Sequence, residues 1–345
     1  NFVQEQTGAT NYTVETKGLS FVPSVIGTAY NQTAITSLPG NPWISSNTGT
    51  TVASDTATVT HDQTSTTTYD VSSSVNVAGE FTYSTIGWGY FNASNTFVGT
   101  AATLPSLVTL ALNGTAGQTL KVEFVSRSNP NTKKVFYLTL AAAQQNFTFD
   151  ITSFGQVAMI NFVQEQVGST NYTVETKGLF YTPTVTGTAY SVSAITTLPG
   201  SPSVSSNHGT TAGGDDDATI TATQTSATTF NSVSNVPDAG DFTYSTISWG
   251  YFDATDTFVG TGATLPNTVV LALNGTAGRQ LKVEFVSTSG SGNVKTFLVT
   301  LDANESTKQN YSFNITGFGA VAMINIVQDQ VGATNYLVET KGLRT

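Results

Sequence analysis

The sequence predicts an all-β protein made of tandem antiparallel β-sandwich domains, and three observations carry that expectation. The segment from Asn161-Phe162-Val163-Gln164 through Lys177-Gly178-Leu179 has near-copies at Asn1 to Leu19 and at Asn325 to Leu343, about 160 residues apart. Thr, Ser, Val, Ala, Gly and Asn dominate, while charged residues are held to 10% and aromatics reach 10%, a profile of strands under an uncharged polar surface. Short alternating or apolar runs recur at roughly 8 to 12-residue intervals between turn residues. A repeat of this size exceeds the roughly 20 to 50 residues of solenoid units and can bury its own core. The expected organisation is 1–19 as closing strands of a preceding or partner repeat, 20–180 as one sandwich and 181–345 as the next. Both ends are expected to be cut from a longer run.

Within the first repeat, residues 20–78 are Thr/Ser-rich and weakly patterned, with turn signals such as Leu38-Pro39-Gly40-Asn41-Pro42, so short strands joined by loops are expected. From Gly79 the pattern sharpens. Phe81 to Ile86 and Trp88 to Phe91 read as strands, and Leu107 to Leu112 reads as a strand ending in a turn at Asn113-Gly114. Leu120-Lys121-Val122-Glu123-Phe124 alternates, with Leu, Val and Phe inward and the charged pair outward. Val135 to Leu140 and Asn146 to Ile151 follow. Val157 to Val163 is apolar nearly throughout and is expected to be a central, doubly covered strand. A turn at Gly168-Ser169 leads into Tyr172 to Thr176.

Composition removes several function classes. Twelve Lys and Arg against 22 Asp and Glu leave a formal charge of −10, with no basic cluster to hold phosphates, so no nucleic-acid partner is expected. No apolar run reaches the roughly 18 residues of a membrane span, and no signal segment begins the chain. Zero cysteines exclude disulfides and thiolate metal sites.

Gly117 to Phe124, the strand carrying Phe147 and Phe149, Val157 to Val163 and the closing Asn171 to Leu179 together resemble the second half of galactose-binding-like jelly rolls, the fold of many carbohydrate-binding modules. The resemblance lies in strand order and pattern over roughly 79–180 and 240–345. It implies a jelly-roll-like sandwich, and in that family sugar is often held by loop aromatics and acids.

Candidate residues are few. Asn-X-Ser/Thr sequons stand at Asn11, Asn31, Asn92, Asn113, Asn146, Asn171, Asn274, Asn304, Asn310 and Asn314. Alternation turns Asn146, and likewise Asn310, away from the core, where a glycan has room. Trp88 and Trp249 occupy equivalent places, as do Tyr90 and Tyr251; either they stack on sugar or the tryptophans are core. Trp43 aligns with Ser203. His61 and His208 align with Thr221 and Thr48, so no shared general base or His metal site is expected. Asp215-Asp216-Asp217 reads as a solvated turn rather than a Ca²⁺ loop, and Asn92 and Asn95, replaced by Asp253 and Asp256, read as turn residues. Glu15 with Lys17, Glu175 with Lys177 and Glu339 with Lys341 read as surface ion pairs.

Two functions fit. The first is a non-catalytic structural repeat of an extracellular filament or surface fibre, glycosylated, partnered with itself by strand sharing or end-to-end packing, and free of cofactor and metal. The alternative is a tandem carbohydrate-binding pair from an adhesin or secreted enzyme, with duplication serving multivalency.

Overall fold

A computed structural model describes residues 8, 22–211, 216–302 and 307–344. Two compact units emerge, Asn1–Tyr181 and Thr182–Thr345. The expected closing strands of 1–19, with Asn11, Glu15 and Lys17, lie outside the described residues except for Gly8; so do Asn304 and Asp215.

The first unit's early strands are β1 (Thr28–Ala29), β2 (Trp43–Thr50), β3 (Thr58–Gln63), β4 (Thr68–Val75), β5 (Glu80–Gly87), β6 (Gly89–Phe91) and β7 (Phe97–Gly99). They are followed by β8 (Leu107–Gly114), β9 (Thr119–Ser126), β10 (Asn129–Thr139), β11 (Gln145–Asp150), β12 (Val157–Gln164) and β13 (Gly168–Glu175). Five form one sheet in the order β10-β9-β12-β5-β2, and six form a second, β1-β11-β8-β13-β4-β3. Their ladders are antiparallel. The chain changes sheet after β1, β2, β4, β5, β8, β10, β11 and β12, giving a jelly-roll-like sandwich; β6 and β7 make a separate small hairpin.

Between the sheets, Ile86, Val122, Phe124, Ile160 and Phe162 meet Tyr69, Val71, Leu110, Phe147, Phe149 and Val174. Phe124, Phe136 and Phe149 form an edge-packed trio with centroids 5.4 to 5.9 Å apart. Burying such a ring stabilises the unit by about 1.5–3 kcal/mol. β12 is the middle strand of its sheet, as its apolar run predicts. The weak pattern of 20–78 has a physical reason: β2 and β3 are edge strands that contribute only Ile44 and Val59 to the margin of the core.

The second unit repeats this plan. Its strands are β14 (Thr184–Val185), β15 (Thr188–Ala189), β16 (Ser203–Thr210), β17 (Thr219–Ser226), β18 (Thr229–Val236), β19 (Asp241–Ser248), β20 (Gly250–Phe252) and β21 (Phe258–Gly260). Then come β22 (Thr268–Gly275), β23 (Gln280–Ser287), β24 (Val294–Thr300), β25 (Gln309–Asn314), β26 (Val321–Gln328) and β27 (Gly332–Glu339). The sheets run β14-β24-β23-β26-β19-β16 and β15-β25-β22-β27-β18-β17.

Some local expectations are corrected. Asn113-Gly114 is not a turn but the end of β8, where Gly114 pairs with Tyr172; the chain turns afterwards, with Gly117 at φ +83°. Gly168 likewise opens β13 rather than forming the turn before it. Glu123 points outward, as its alternation with Val122 and Phe124 predicts, yet it is only 6% exposed because lysines from two strands cover it.

Candidate functional site

The outer face of the five-stranded sheet carries an unusual strand. On β5, Glu80, Thr82, Ser84 and Ile86 point inward and are buried, so the alternation turns Phe81 and Tyr83 outward, where both are half-exposed. Two of these polar residues, Ser84 and Glu80, are held in the interior by hydrogen bonds. The Ser84 hydroxyl lies 3.3 Å from Tyr69 Oη and 2.9 Å from Tyr172 Oη. Glu80 accepts from the backbone of Thr56, Asn76 and Val77 and from the Thr56 hydroxyl; burial pushes its carboxyl up, but these four bonds outweigh it and hold it below the usual carboxylate range.

Outside, Phe81 pairs with Gly49 across β2. A Cβ on Gly49 would come within 2.4 Å of the ring, so glycine lets the ring lie against the backbone. Phe81 and Tyr83 are stacked, with centroids 6.3 Å apart and planes 28° apart. In the second unit Phe242 and Tyr244 repeat the pair at 6.2 Å and 22°, with Gly209 beneath Phe242.

Strand register sets polar groups beside this platform. In the first unit Glu123, Asn161 and Thr85 form one cross-strand row, while Lys121, Val163 and Tyr83 form the next. The Thr85 hydroxyl donates to Asn161 Oδ1 at 2.9 Å. Lys121 Nζ lies 3.2 Å from Glu123 Oε1 and also pairs with Glu165, and Lys133 Nζ lies 2.8 Å from Glu123 Oε2. Burial pushes the Glu123 carboxyl up, yet Lys133 and Lys121 outweigh it and hold it below its ordinary value. For Lys121, burial pulls downward, and Glu165 and Glu123 together lift it above its ordinary value. The result is an open groove of about 380 Å³ lined by Phe81, Tyr83, Lys121, Glu123, Asn161 and Glu165.

The second unit's groove, about 520 Å³, is lined by Phe242, Tyr244, Lys282, Glu284, Asn325 and Asp329. Thr246 donates to Asn325 at 2.9 Å, and Lys282 pairs with Asp329. One position differs sharply. Val294 pairs with Val286 where Lys133 pairs with Val125, so no second lysine reaches Glu284. Burial therefore prevails, and Glu284 is raised above its ordinary value despite Asn325 and Lys282. Each groove thus presents an aromatic face, an amide, carboxylates and at least one ammonium, a set able to stack on an apolar ring face and bond its hydroxyls.

The residues singled out in the sequence take other places. Trp88 and Trp249 are 2% and 7% exposed, and their Nε1 atoms donate to the Pro39 and Pro199 carbonyls at 2.5 Å. They present no ring face to a ligand, which corrects the sugar-stacking expectation. Tyr90 and Tyr251 are exposed on the small hairpins, and Trp43 is exposed on β2. Strand pairing aligns His61 with Ala222 rather than Thr221, since both face equivalent positions, Val71 and Ser232. His61 contacts Ser46 at 2.8 Å, and His208 contacts Asp216 at 3.0 Å. Among the described residues no three or more His, Asp or Glu are grouped to hold a metal. Asn92 and Asp253 each cap a turn through backbone amides, as expected.

Asn146 and Asn310 are each 3% exposed, correcting the expectation that they offer room for a glycan. Alternation does turn Asn146 from the core, but β1 lies across it, and its amide exchanges hydrogen bonds with the Asn31 backbone. Asn310 bonds Ser191 in the same way. Asn171 and Asn314 are exposed, and Asn113 and Asn274 are half-buried. Glu175 and Glu339 are nearly buried and do not pair with Lys177 or Lys341. Glu175 accepts from Tyr30 Oη and Gln144, and Glu339 from Tyr190 Oη and Lys308.

No protein-family model and no curated relative matches the chain. Among solved structures it is similar to the family 11 carbohydrate-binding module of the cellulosomal cellulase Lic26A-Cel5E of Clostridium thermocellum. That match has 9% identity and a TM-score of 0.25, over 41% of this chain and 92% of that one. A cupin 2 conserved barrel domain protein from Leptotrichia buccalis matches at 7% identity, over 84% and 92% of the two chains, with a TM-score of 0.16. The PBSX exported protein XepA matches at 11% identity, over 84% and 88%, also at 0.16.

Proposed function

We propose that the chain is a tandem pair of non-catalytic carbohydrate-binding modules of an extracellular repeat protein. One observation carries this reading: in both units a strand buries its hydroxyls and turns a stacked aromatic pair outward, beside an amide, a carboxylate and an ammonium. Half-exposing two adjacent rings forfeits hydrophobic stabilisation, and a stacking ligand would recover it. Two grooves on one chain allow avidity toward a repeating polymer. The test is binding to a panel of soluble and insoluble polysaccharides by the wild-type chain and by Phe81→Ala/Tyr83→Ala and Phe242→Ala/Tyr244→Ala. Each double variant is expected to weaken binding roughly ten-fold with the fold retained. Undiminished binding after removal of both pairs, or no binding to any member of the panel, overturns the reading.

A second reading, the self-assembling surface fibre, is favoured by one sequence observation. Residues 1–19 are a near-copy of 161–179, which in the first unit supplies the end of β12 and β13, strands hydrogen-bonded on both edges. A segment of that sequence suits strand addition between modules. Electron microscopy of the purified chain showing periodic filaments would support it; monodisperse monomers at high concentration would oppose it. Glycosylation in this reading falls on Asn171 and Asn314, with Asn113 and Asn274 less accessible.

A further inference from the structure

We propose that the second unit's groove contains an ammonium subsite at Glu284 and takes an amino sugar, a saccharide whose free amine occupies the place filled in the first unit by Lys133. This rests on the carbohydrate-binding reading above and assigns the ligand class of one groove. The first unit supplies the template. Glu123 and Glu284 stand at the same register, each in a row with an asparagine and a threonine. Glu123 is met on one oxygen by Lys121 and on the other by Lys133 at 2.8 Å. Val294 replaces Lys133, so the same carboxylate in the second unit faces an open groove with its second cation missing.

The surroundings do not compensate. Lys282, on the same strand, is paired with Asp329, and no described cation lies within ion-pair distance of Glu284. From neighbouring strands Asp241, Tyr244 and Asp329 line the groove, and β24 offers Val294 and Thr296. Asp241 is 1% exposed on the inner side of β19, as Glu80 is on β5, so the groove sets two carboxylates, Glu284 and Asp329, against one ammonium, whereas the first sets Glu123 and Glu165 against Lys121 and Lys133. Among the described residues no three acids are grouped for a metal ion. A single organic cation held against one carboxylate fits better, and Phe242 with Tyr244 offers its sugar ring a face. The first groove, its charges already paired, is predicted to take neutral saccharide.

The experiment is calorimetric titration of the full chain at neutral pH with glucosamine, N-acetylglucosamine and glucose tetramers, together with a lysine-rich peptide. The free-amine tetramer is expected to bind one site about ten-fold or more tighter than the other two, the usual gain from a charge-assisted hydrogen bond. Glu284→Gln removes the preference, and Val294→Lys removes it by filling the subsite while keeping Glu284. Lys133→Val creates a second preferring site and moves the stoichiometry from one to two. Equal affinity for the three tetramers, or a preference that survives Glu284→Gln and Val294→Lys, overturns the subsite; a preference of that second kind is nonspecific attraction to an acidic chain. Neutral tetramers that bind and are lost in Phe242→Ala/Tyr244→Ala, without amine preference, sink the subsite alone and leave the carbohydrate reading standing. Binding of the peptide alone, sensitive to Glu284→Gln, overturns the amino-sugar assignment together with that reading.

Discussion

Replacing Lys133 with valine converts one groove into the other and isolates what a single charge contributes. The substitution is structurally mild, since Val294 already holds the equivalent place in an equivalent strand pair. The Lys133 to Glu123 contact spans 2.8 Å, with the glutamate side chain 8% exposed and the lysine 36% exposed. A charge-assisted hydrogen bond nets about 1.5–3 kcal/mol when sheltered. Solvent at Lys133, together with Lys121 remaining 3.2 Å from the other oxygen, brings the expectation to about 1 kcal/mol. For a domain of this size that is roughly 2–4 °C in Tm.

The pH dependence supplies the sharper reading. Glu123 sits below its ordinary value, so its contribution is present above the unfolded carboxyl pKa and is lost as pH falls through the lower folded value. In Lys133→Val burial prevails, and Glu123 is expected to rise as Glu284 does. The stability gap between wild type and variant should then be full at neutral pH and close at acid pH, where both carboxyls are protonated. Carboxyl-carbon NMR titration follows Glu123 directly, and denaturant unfolding at several pH values follows the gap. A Glu123 titration unmoved by the substitution, or a gap as wide in acid as at neutrality, would refute the reasoning.

Three further expectations follow from the packing. Trp88→Ala and Trp249→Ala should each cost about 3–5 kcal/mol by calorimetric unfolding, while any carbohydrate binding that survives in the folded fraction keeps its affinity. Gly114→Ala should destabilise the first unit by at least about 1–3 kcal/mol in the same assay, because the new Cβ would stand 2.4 Å from the Asn171 carbonyl and 2.9 Å from Tyr172 Cα, both backbone atoms. When the chain is made in a glycosylating secretory host, peptide mass spectrometry should find Asn146 and Asn310 bare, with any occupancy on exposed asparagines such as Asn171 and Asn314; modified Asn146 in folded protein would contradict its bonds to Asn31.

The fold was legible because its inner strands carry their pattern openly. Leu120, Val122 and Phe124 alternate into one core, Phe147 and Phe149 into the facing sheet, and Val157 to Val163 takes the sheet centre as an unbroken apolar run should. Period alone states which way a side chain points relative to its own sheet; it does not state what else lies across that face. Asn146 was misplaced for that reason, since its cover comes from residues 28–31, more than a hundred positions earlier and nearly featureless in pattern. Glu123 faces outward as the alternation states, but it too is covered, because Lys133 reaches it from the next strand.

The grooves escaped notice through a related step, although the signal was present. Counting back by twos from Ile86, a core residue, puts Ser84 and Thr82 on the inner face and so forces Phe81 and Tyr83 outward. Treating aromatics as core by default runs against that count, and the tryptophans, the more conspicuous aromatics, drew the functional reading to positions that serve packing. What no count along one strand reveals is the partner that makes the inversion tolerable. Ser84 is accepted inside because Tyr172, from the closing strand of the repeat, and Tyr69, from the Thr-rich half, both reach its hydroxyl; in the second unit Tyr336 does this alone, with Phe230 at the place of Tyr69. The repeat that dominates the sequence therefore bears on the site indirectly. Its closing strand supplies the inner hydroxyl contacts that let the aromatic pair face out.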